Sequence, residues 1–375
     1  MPGPAPVELR RPEGRFALQR YPARNRDPLQ AWCSADILLL DAAQESGIAG
    51  GDTLVVNDEH GALATVLRPR ASWTDSALSA RALADNLARN NLPPVPVYWS
   101  TVSPGSGYRL VLLRIPKQLA YFEYQLACLH AFLPPGSLLI CSGMDKHLSP
   151  HTAALIERYF GSVQRHRGTR KARLFTARRG GSPAAAPPPR DSYFCAQLDA
   201  ELVTGANVFS REGLDMGARF LLAQLPRLAP AARGADLACG NGVLGLTALR
   251  SGLCRTMTFA DESAMAIAAA RDNALTLRLP ATDLQFLHGD GLLDTTERYD
   301  LVLCNPPFHQ GHTVDDFAGK RLIRQAVDAL APGGVVCLVA NRHLPYREIL
   351  QRCLESVEEL ACDHRFRVWL ARSGC

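Results

Sequence analysis

The sequence YDLVLCNPPF occupies residues 299–308. Its first six residues form a short, mostly apolar run, which predicts a buried strand. The four that follow are Asn305, Pro306, Pro307 and Phe308. Proline lacks a backbone N–H and has a fixed φ, so two in succession end the strand and stiffen the segment after it. The sequence therefore predicts one amide side chain, that of Asn305, held at the end of a buried strand.

A second strand and turn, DLACGNG, occupies residues 236–242 and precedes a helical pattern. A glycine-rich turn lets a ligand approach the backbone and presents unpaired N–H groups at the start of the helix. This turn has neither the G-x-G-x-x-G spacing of the dinucleotide fingerprint nor the lysine of a P-loop. On its own it remains compatible with NAD or another nucleotide. We predict a cofactor site formed by Asp236, Ala238, Cys239, Gly240 and Gly242.

Two acidic residues follow the next two predicted strands. Asp261 comes 25 residues after Asp236, where an acid in a doubly wound fold can accept both hydroxyls of a ribose. The alternative is a helix N-cap, although Glu262 or Ser263 can also serve as that cap. Asp290, between two glycines, can accept a hydrogen bond from the exocyclic amine of an adenine, with a turn aspartate as the alternative. We predict that Asp261 and Asp290 bind the same cofactor.

The segment after the fourth strand suits a planar amine. An exocyclic amine of a base is a poor nucleophile because its lone pair is delocalised into the ring. The side-chain oxygen of Asn305 and the carbonyl of Pro306 can both accept from one –NH2 group, which localises the lone pair and fixes the amine in place. Phe308 offers a face for stacking. We predict catalytic roles for Asn305, Pro306, Pro307 and Phe308, with Asn305 also touching the cofactor; the alternative is a turn that closes the strand.

Short apolar runs alternate with helical patterns in each half of the chain, which predicts βαβ units and a mostly parallel sheet. In the second half, strands are predicted near residues 234–238, 256–260, 284–287, 300–304 and 334–340, with a final pair near 356–361 and 365–371. Helices are predicted over residues 265–277 and 319–330. The predicted fold class is α/β, with a Rossmann-like sheet whose last two strands form an antiparallel hairpin.

The first half of the chain repeats the second. Four segments match in order, pairing residues 83–93 with 270–280, 108–117 with 299–308, 134–141 with 331–338, and 162–178 with 356–372. Residues 179–190 are rich in Pro, Gly and Ala, which is typical of a linker. We therefore predict two tandem domains of the same fold, residues 1–178 and 191–375.

The two halves differ in charge. Residues 1–190 carry 23 Lys and Arg against 14 Asp and Glu, whereas residues 191–375 carry 18 against 22. A basic half attracts polyanions such as RNA through phosphate contacts and counterion release. Basic residues gather where the first half matches the C-terminal hairpin, and an ordinary solvated face is the alternative. The predicted RNA-binding residues are Arg165, Arg167, Arg170, Lys171, Arg173, Arg178 and Arg179.

The first copy lacks the candidate chemistry. Glu59 and His60 stand where Gly240 and Asn241 stand in the second copy, and RIPK at residues 114–117 replaces NPPF. A glutamate would crowd the turn, and no amide acceptor remains. We predict that the first domain is degenerate and has exchanged catalysis for phosphate binding.

These residues resemble class I methyltransferases of the group that modifies the exocyclic N2 of guanine in ribosomal RNA. NVFS at residues 207–210, VANRHL at 339–344 and LQRYP at 18–22 extend the resemblance over nearly the whole chain. These motif sequences are most similar to those of the large-subunit branch of the group. The sequence departs from the usual pattern at Ala238, where we expect alanine to adopt the backbone that glycine would use.

The resemblance implies two tandem class I methyltransferase domains, of which the second is active. It implies methylation of a guanine N2 in 23S ribosomal RNA, with S-adenosylmethionine as cofactor and ribosomal RNA as partner. The same reaction on 16S ribosomal RNA is an alternative. Glutamine N5 methylation of a protein is another, because side-chain amides present a similar –NH2 group, but the basic first half argues against it. A third is a non-enzymatic ribosome assembly factor, against which the intact acids and Asn305 argue.

The composition, 47% hydrophobic and 21% charged, is that of an ordinary globular protein. No apolar run approaches the ~18 residues of a membrane span, and the N-terminus does not resemble a signal peptide; we therefore expect a cytoplasmic protein. The 11 cysteines lack C-x-x-C spacing, which favours reduced thiols. His309 and His312 have no third ligand at a suitable spacing, so we expect no metal site.

Overall fold

The computed structural model describes residues 7–24, 27, 29–181, 187–307 and 317–374. The chain divides into two compact units, residues 1–189 and 190–375. The division falls at the end of the Pro-rich segment 179–190. None of the helices in the described ranges is long and apolar enough to cross a membrane.

The first unit begins with a small hairpin and continues as alternating strands and helices. Its elements are β1 (Val7–Arg11), β2 (Gly14–Leu18), α1 (Ser34–Ser46), β3 (Thr53–Val56), α2 (Ala62–Leu67), β4 (Ala71–Thr74), α3 (Ala77–Arg89), β5 (Val97–Trp99), β6 (Leu110–Arg114), α4 (Leu119–Phe132), β7 (Leu138–Met144), α5 (Thr152–Phe160), β8 (Val163–Arg165) and β9 (Ala172–Arg178). The strands after the hairpin form a seven-stranded sheet, within the described residues, in the order β5-β4-β3-β6-β7-β9-β8.

The second unit repeats this arrangement. Its elements are β10 (Ser192–Cys195), β11 (Ala200–Val203), α6 (Met216–Leu222), β12 (Ala231–Leu237), α7 (Val243–Arg250), β13 (Cys254–Asp261), α8 (Ala264–Thr276), β14 (Leu284–His288), β15 (Tyr299–Cys304), α9 (Phe317–Asp328), β16 (Leu330–Asn341), α10 (Tyr346–Cys353), β17 (Ser356–Cys362) and β18 (Phe366–Arg372). The sheet order, β14-β13-β12-β15-β16-β18-β17, is the same as in the first unit. The first five strands in this order, β14, β13, β12, β15 and β16, run parallel to one another. β18 is antiparallel to both of its neighbours, β16 and β17.

The sequence of β15 is apolar from Leu301 to Cys304 because both faces of the strand are buried. Leu301 and Leu303 point into the core formed with α6, α7 and α8, whereas Val302 and Cys304 point into the core formed with α9 and α10. A parallel strand covered by helices on both faces has no solvated side, so polar residues do not alternate along it. The strand therefore brings Asn305 to the carboxyl edge of a rigid sheet.

The strand registers confirm the duplication. Val163 lies opposite Ala177 between β8 and β9, and Val357 lies opposite Ala371 between β17 and β18. For both members of the pair, the residue numbers in the two units differ by 194, which is the offset that aligns the two segments in the sequence. The two sheets therefore share their pairing residue by residue as well as their strand order.

A buried amide ties each glycine-turn segment to the small hairpin of its unit. The side chain of Asn273 has no exposed surface; its Oδ1 accepts from the N–H of Val203 at 2.8 Å, and its Nδ2 donates to the carbonyls of Val203 and Asn241, both at 3.0 Å. Asn86 does the same in the first unit, bonding to both backbone groups of Gln19 at 2.9 Å and to the carbonyl of His60 at 2.8 Å. The duplicated fold thus keeps one hydrogen-bond pattern at the turn.

Some local elements differ from the predictions. The helix predicted to extend to residue 330 ends at Asp328, because β16 already begins at Leu330 and carries an irregularity opposite β15. The hairpins β1–β2 and β10–β11 and the helix α10 were not predicted. These pieces are short, and a single turn or two of periodicity is too little to identify them from sequence.

Asp236 is buried inside the second unit. Its carboxylate has no exposed surface, and its Oδ2 accepts from the N–H of Gly245 in α7 at 2.8 Å. Burial, opposed in part by that hydrogen bond, raises the pKa of Asp236 from 3.8 to about 8. The folded protein therefore keeps this proton over a pH range in which the unfolded chain has released it.

The stability of the second unit is expected to depend on this proton. Between about pH 4 and pH 8 the unfolded chain binds fewer protons at this site than the folded one, so each pH unit lowers the free energy of unfolding by up to about 1.4 kcal/mol. Asp236→Asn keeps the acceptor for Gly245 but stays neutral. We expect the free energy of unfolding of this variant, measured by urea denaturation, to exceed that of wild type by an amount that grows from pH 4 to pH 8. Asp328→Asn, at an exposed position, is the matched control. If the difference in free energy of unfolding from wild type did not change with pH for either variant, the raised pKa of Asp236 would be contradicted.

Candidate active site

The turn after β12 consists largely of residues with left-handed backbone. Ala238, Gly240 and Gly242 have φ of 59°, 54° and 84°. A Cβ on Gly242 would lie 3.0 Å from the Cβ of Ala270 in α8, whereas a Cβ on Gly240 would meet nothing within 4 Å. Gly242 is therefore needed for packing, and Gly240 borders open space beside the start of α7. This is the surface on which the sequence predicts a cofactor.

Asp261 holds this turn from the end of β13. Its Oδ2 accepts from the N–H of Gly240, and its Oδ1 accepts from the N–H of Ser263, both at 2.9 Å. Ser263 is the N-cap of α8, since its side chain accepts from Ala266. The alternative role considered for Asp261, helix capping, thus belongs to Ser263. The predicted contact of Asp261 with a ribose at the same edge stays a prediction.

Two predicted cofactor residues turn out to be supports beneath the turn. Asp236 is fully buried, with its carboxylate directed into α7, so it supports the turn from below, and its place in the cofactor site stays a prediction. The side chain of Cys239 is in the hydrophobic core, and burial raises the pKa of its thiol well above 9. Only backbone atoms of Cys239 are available to a ligand.

Asp290 lies in a buried polar cluster below the end of β14. One oxygen, Oδ1, accepts from the guanidinium of Arg321 and from Nε2 of Gln325, both on α9, the latter at 3.1 Å. The carbonyl oxygen of the Gln325 side chain in turn accepts from the N–H of Leu292 at 3.2 Å. Asp290 is therefore fixed in orientation by α9, and its proposed contact with an adenine amine stays a prediction.

Asn305 presents an amide whose two ends have different surroundings. Its Nδ2 donates to Oδ2 of Asp215 at 3.0 Å. Its Oδ1 is buried and has no hydrogen-bond partner among the residues that the structure describes. Pro306 is buried and Pro307 exposed, while Phe308 lies outside the described residues, as do His309 and His312. Within the described residues, the site thus holds an acceptor without a donor at the carboxyl edge of the sheet.

Sequence reasoning did not assign two polar residues that line this region. Asp215 is the N-cap of α6, with its Oδ2 accepting from the N–H of Ala218 at 2.9 Å. Tyr193, on β10, accepts from Nδ2 of Asn241 at 3.1 Å, and burial raises the pKa of its hydroxyl to about 12. Both residues lie far from β15 and the glycine turn in sequence, so no local spacing connects them to the site.

The same place in the first unit contains an ion pair. Arg114, at the end of β6, corresponds to Asn305; its Nη1 lies 3.0 Å from Oδ1 of Asp36 and 2.9 Å from Sγ of Cys33. Glu59, in the position of Gly240, has 69% of its side chain exposed, so the first unit carries a charged side chain where the second has none. The first copy has neither an amide acceptor nor an open turn.

The predicted RNA-binding residues fall into two groups. Arg165, Arg167, Arg170, Lys171 and Arg173 lie in or beside the turn between β8 and β9. Arg178 and Arg179 lie at the other end of β9, roughly 17 Å from Arg173 at the usual rise per strand residue, and they donate to the carbonyls of Gly136 and His130. A single patch of all seven residues does not form.

The turn group has two further basic neighbours. Asp145 connects the loop after β7 to the turn, because its N–H donates to the carbonyl of Lys171 and its carboxylate pairs with Arg173. Lys146 follows directly and, with Lys117, contributes to a lowered pKa of His147, of which burial is the main cause. We call the exposed cations of this end the basic tip: Arg165, Arg167, Arg170, Lys171, Arg173, Lys117 and Lys146.

The second unit therefore combines an open glycine turn, a carboxylate bonded to it and an unpaired amide oxygen at one sheet edge. Such an edge is where doubly wound folds bind ligands. Among the residues in the described ranges, no group of three or more His, Cys, Asp or Glu could hold a metal ion.

Comparisons with known proteins agree with this division. Residues 7–181 match the family described as RLMG N-terminal domain, and residues 199–370 match the methyltransferase small domain. The solved structure of T. thermophilus 16S rRNA N2 G1207 methyltransferase (RsmC) is similar in fold, with a TM-score of 0.78, 22% identity and 98% coverage of both chains. The predicted fold, two tandem class I methyltransferase domains, is confirmed.

Two curated relatives, both called ribosomal RNA large subunit methyltransferase G, are similar over nearly their full length. The protein of Alcanivorax borkumensis is 39% identical over 96% of this chain and 95% of its own. That of Pseudomonas aeruginosa PAO1 is 42% identical over 95% of this chain and 96% of its own. The chain belongs to the family of ribosomal RNA large subunit methyltransferase G.

Proposed function

We propose that the protein transfers a methyl group from S-adenosylmethionine to the exocyclic N2 of a guanine in 23S ribosomal RNA, in the cytoplasm. The observation that carries this proposal is the buried, unpaired Oδ1 of Asn305 beside an open glycine turn. The relatives named above are large-subunit ribosomal RNA methyltransferases, which supports the choice of RNA. The similar 16S enzyme is described in complex with AdoMet and guanosine, which supports the cofactor and the base.

The second unit has a suitable place for the cofactor. The open space at Gly240, beside the start of α7, allows close approach of a polar ligand. In this proposal Asp261 accepts from the ribose hydroxyls and Asp290 from the adenine amine, while Gly240 and Gly242 contact the ligand through their backbones. The sulfonium centre supplies an electrophilic methyl group.

Asn305 makes the guanine amine reactive in this proposal. A buried acceptor without a donor costs free energy, which a substrate –NH2 group would recover by donating to Oδ1. Accepting one N–H fixes the plane of the amine and turns its lone pair towards the methyl group. The carbonyl of Pro306 is the proposed second acceptor, and Phe308 the proposed stacking face.

The basic tip is the part of the first unit best suited to RNA. Its cations are exposed and protrude at the end of a hairpin, where they can approach a phosphate backbone without burying apolar surface. The position of Asn305 is taken in this unit by Arg114, which pairs with Asp36, so this unit has no second methyl-transfer site. We propose that it binds ribosomal RNA through the tip.

Asn305→Ala is expected to lower the rate of methyl transfer by about 10²–10³-fold, because one preorganised acceptor is lost. The assay uses tritiated S-adenosylmethionine with 23S RNA, 16S RNA, assembled subunits and a release factor as separate acceptors. Cofactor affinity and melting temperature of the variant serve as controls. Transfer at the wild-type rate would contradict the role of Asn305, and labelling of 16S RNA or release factor in place of 23S RNA would identify one of the alternative substrates.

One cofactor molecule is expected per chain. Gly240→Glu introduces the residue that the first copy has at this position, and we expect it to abolish binding in a calorimetric titration because the side chain fills the open space. The left-handed backbone costs this variant about 1–2 kcal/mol of stability, so its fold is checked by circular dichroism. Two molecules bound by the wild type, or undiminished binding by the variant, would refute the assignment.

Charge reversal at the basic tip is expected to weaken RNA binding. Arg170→Glu/Lys171→Glu removes cations that contact phosphate, so affinity falls for all RNA sequences and the dependence of log K on log salt becomes less steep. Arg109→Glu/Arg158→Glu changes the net charge equally at exposed positions outside the predicted RNA-binding set and is the matched control. Equal effects of the two double variants in filter binding would show that only net charge matters.

A further inference from the structure

Asp215 and Asn305 are 90 residues apart in the sequence and joined by a hydrogen bond. Asp215 precedes the first residue of α6, and Asn305 follows the last residue of β15. One oxygen of Asp215, Oδ2, accepts both from Nδ2 of Asn305 at 3.0 Å and from the N–H of Ala218 at 2.9 Å. The helix start therefore fixes the carboxylate, and the carboxylate contacts the amide.

A carboxylate decides the direction of an amide beside it. An ionised carboxylate can only accept hydrogen bonds, whereas an amide has a donating end and an accepting end. With Nδ2 towards Asp215 the pair makes a charge-assisted hydrogen bond; with Oδ1 towards Asp215 two acceptors would face each other. Asp215 thus excludes the flipped amide, and Oδ1 remains as an acceptor without a partner among the residues that the structure describes.

We propose that Asp215 is a positioning residue for methyl transfer: it holds the Asn305 side chain in the one orientation that presents an acceptor to the guanine amine. This inference rests on the proposed function of Asn305. In the flipped orientation an NH2 group would meet the NH2 group of the substrate, and no hydrogen bond could form. Asp215 acts only through Asn305, so no proton passes to it.

The first unit supports the pairing independently. Cys33 is the N-cap of α1, and its Sγ accepts from Arg114 at the end of β6. The same two fold positions therefore touch in both copies, whatever side chains they carry. In the copy without an amide acceptor the carboxylate at the helix N-cap is absent as well, so the aspartate and the asparagine occur together.

Close packing at α6 supports the same geometry. A Cβ on Gly217 would lie 3.0 Å from Oδ2 of Asp215 and 3.2 Å from Oδ1 of Asn305. These distances are shorter than nearly all real Cβ contacts, so a side chain at this position would push on both partners. The absence of a side chain at residue 217 leaves the pair its room.

The test separates positioning from helix capping. Asp215→Ser keeps a capping oxygen for the N–H of Ala218, but its side chain is one atom shorter and does not reach Asn305. We expect kcat to fall by about 10- to 100-fold, the loss of one charge-assisted hydrogen bond converted at tenfold per 1.36 kcal/mol. KM for RNA, cofactor affinity and melting temperature are expected to stay close to wild type. A kcat equal to that of wild type would overturn the proposal.

Two further variants complete the experiment. Asp215→Asn can keep an oxygen at the same place but has no charge, so its kcat is expected to lie between those of wild type and Asp215→Ser. In Asp215→Ser/Asn305→Ala the amide to be oriented is gone, so the double variant should be no slower than Asn305→Ala alone. Multiplying effects would mean that Asp215 acts independently of Asn305.

The outcomes also distinguish this inference from the proposed function. Wild-type protein that fails to label ribosomal RNA would reject the function. Wild-type protein that labels RNA, together with independent effects of the two substitutions, would reject only the role of Asp215. Loss of cofactor binding or a large fall in melting temperature in Asp215→Ser would assign the residue to the helix start instead.

Discussion

The buried amide of Asn273 is the constraint on which the geometry of the second unit depends. From α8, its side chain makes three hydrogen bonds: one to the carbonyl of Asn241 in the glycine turn and two to the N–H and carbonyl of Val203, the last residue of the hairpin. A buried amide of this kind cannot lose a partner without a desolvation cost of about 1–3 kcal/mol. The turn is therefore held against the hairpin, and the space beside Gly240 stays open. Asn86 has kept the same bonds in a unit that has no open turn, so this pattern serves stability separately from chemistry.

The duplicated units show how a fold can be retained while its site changes. The two units share their strand order, their strand register and a serine that caps the equivalent helices α3 and α8. The two units differ at the carboxyl edge, where Arg114 pairs with Asp36 in the first unit and Oδ1 of Asn305 has no partner among the described residues of the second. The ion pair offsets the cost of burying the charge of Arg114, although its Nε also lacks a partner among those residues. Under the proposed function, the oxygen of Asn305 receives its donor from the substrate.

Sequence reasoning succeeded where the signal was local. The apolar run of β15, the turn at residues 236–242 and the matched segments of the two halves each carry their information in neighbouring residues. It did not predict the burial of Asp236, because full burial of an acid depends on what packs above it. It did not predict the hydrogen bond between Asp215 and Asn305, which are 90 residues apart. It also treated seven basic residues as one cluster, although a strand separates Arg178 and Arg179 from the rest. Contacts across the fold set all three outcomes, and no periodicity reports them.

Ala238 shows why a departure from a glycine pattern can persist. Its left-handed backbone, with φ of 59°, costs an alanine about 1–2 kcal/mol. Glycine would avoid that crowding but would also give the unfolded chain more freedom, which removes about 0.4–1 kcal/mol of stability. The second effect offsets about half of the first, so glycine would be favoured for folding by about 0–1.6 kcal/mol. A cost of this size is small beside the stability of a folded domain, so alanine can persist here, and the residue found at this position is a poor guide to whether a copy of the domain is catalytically active.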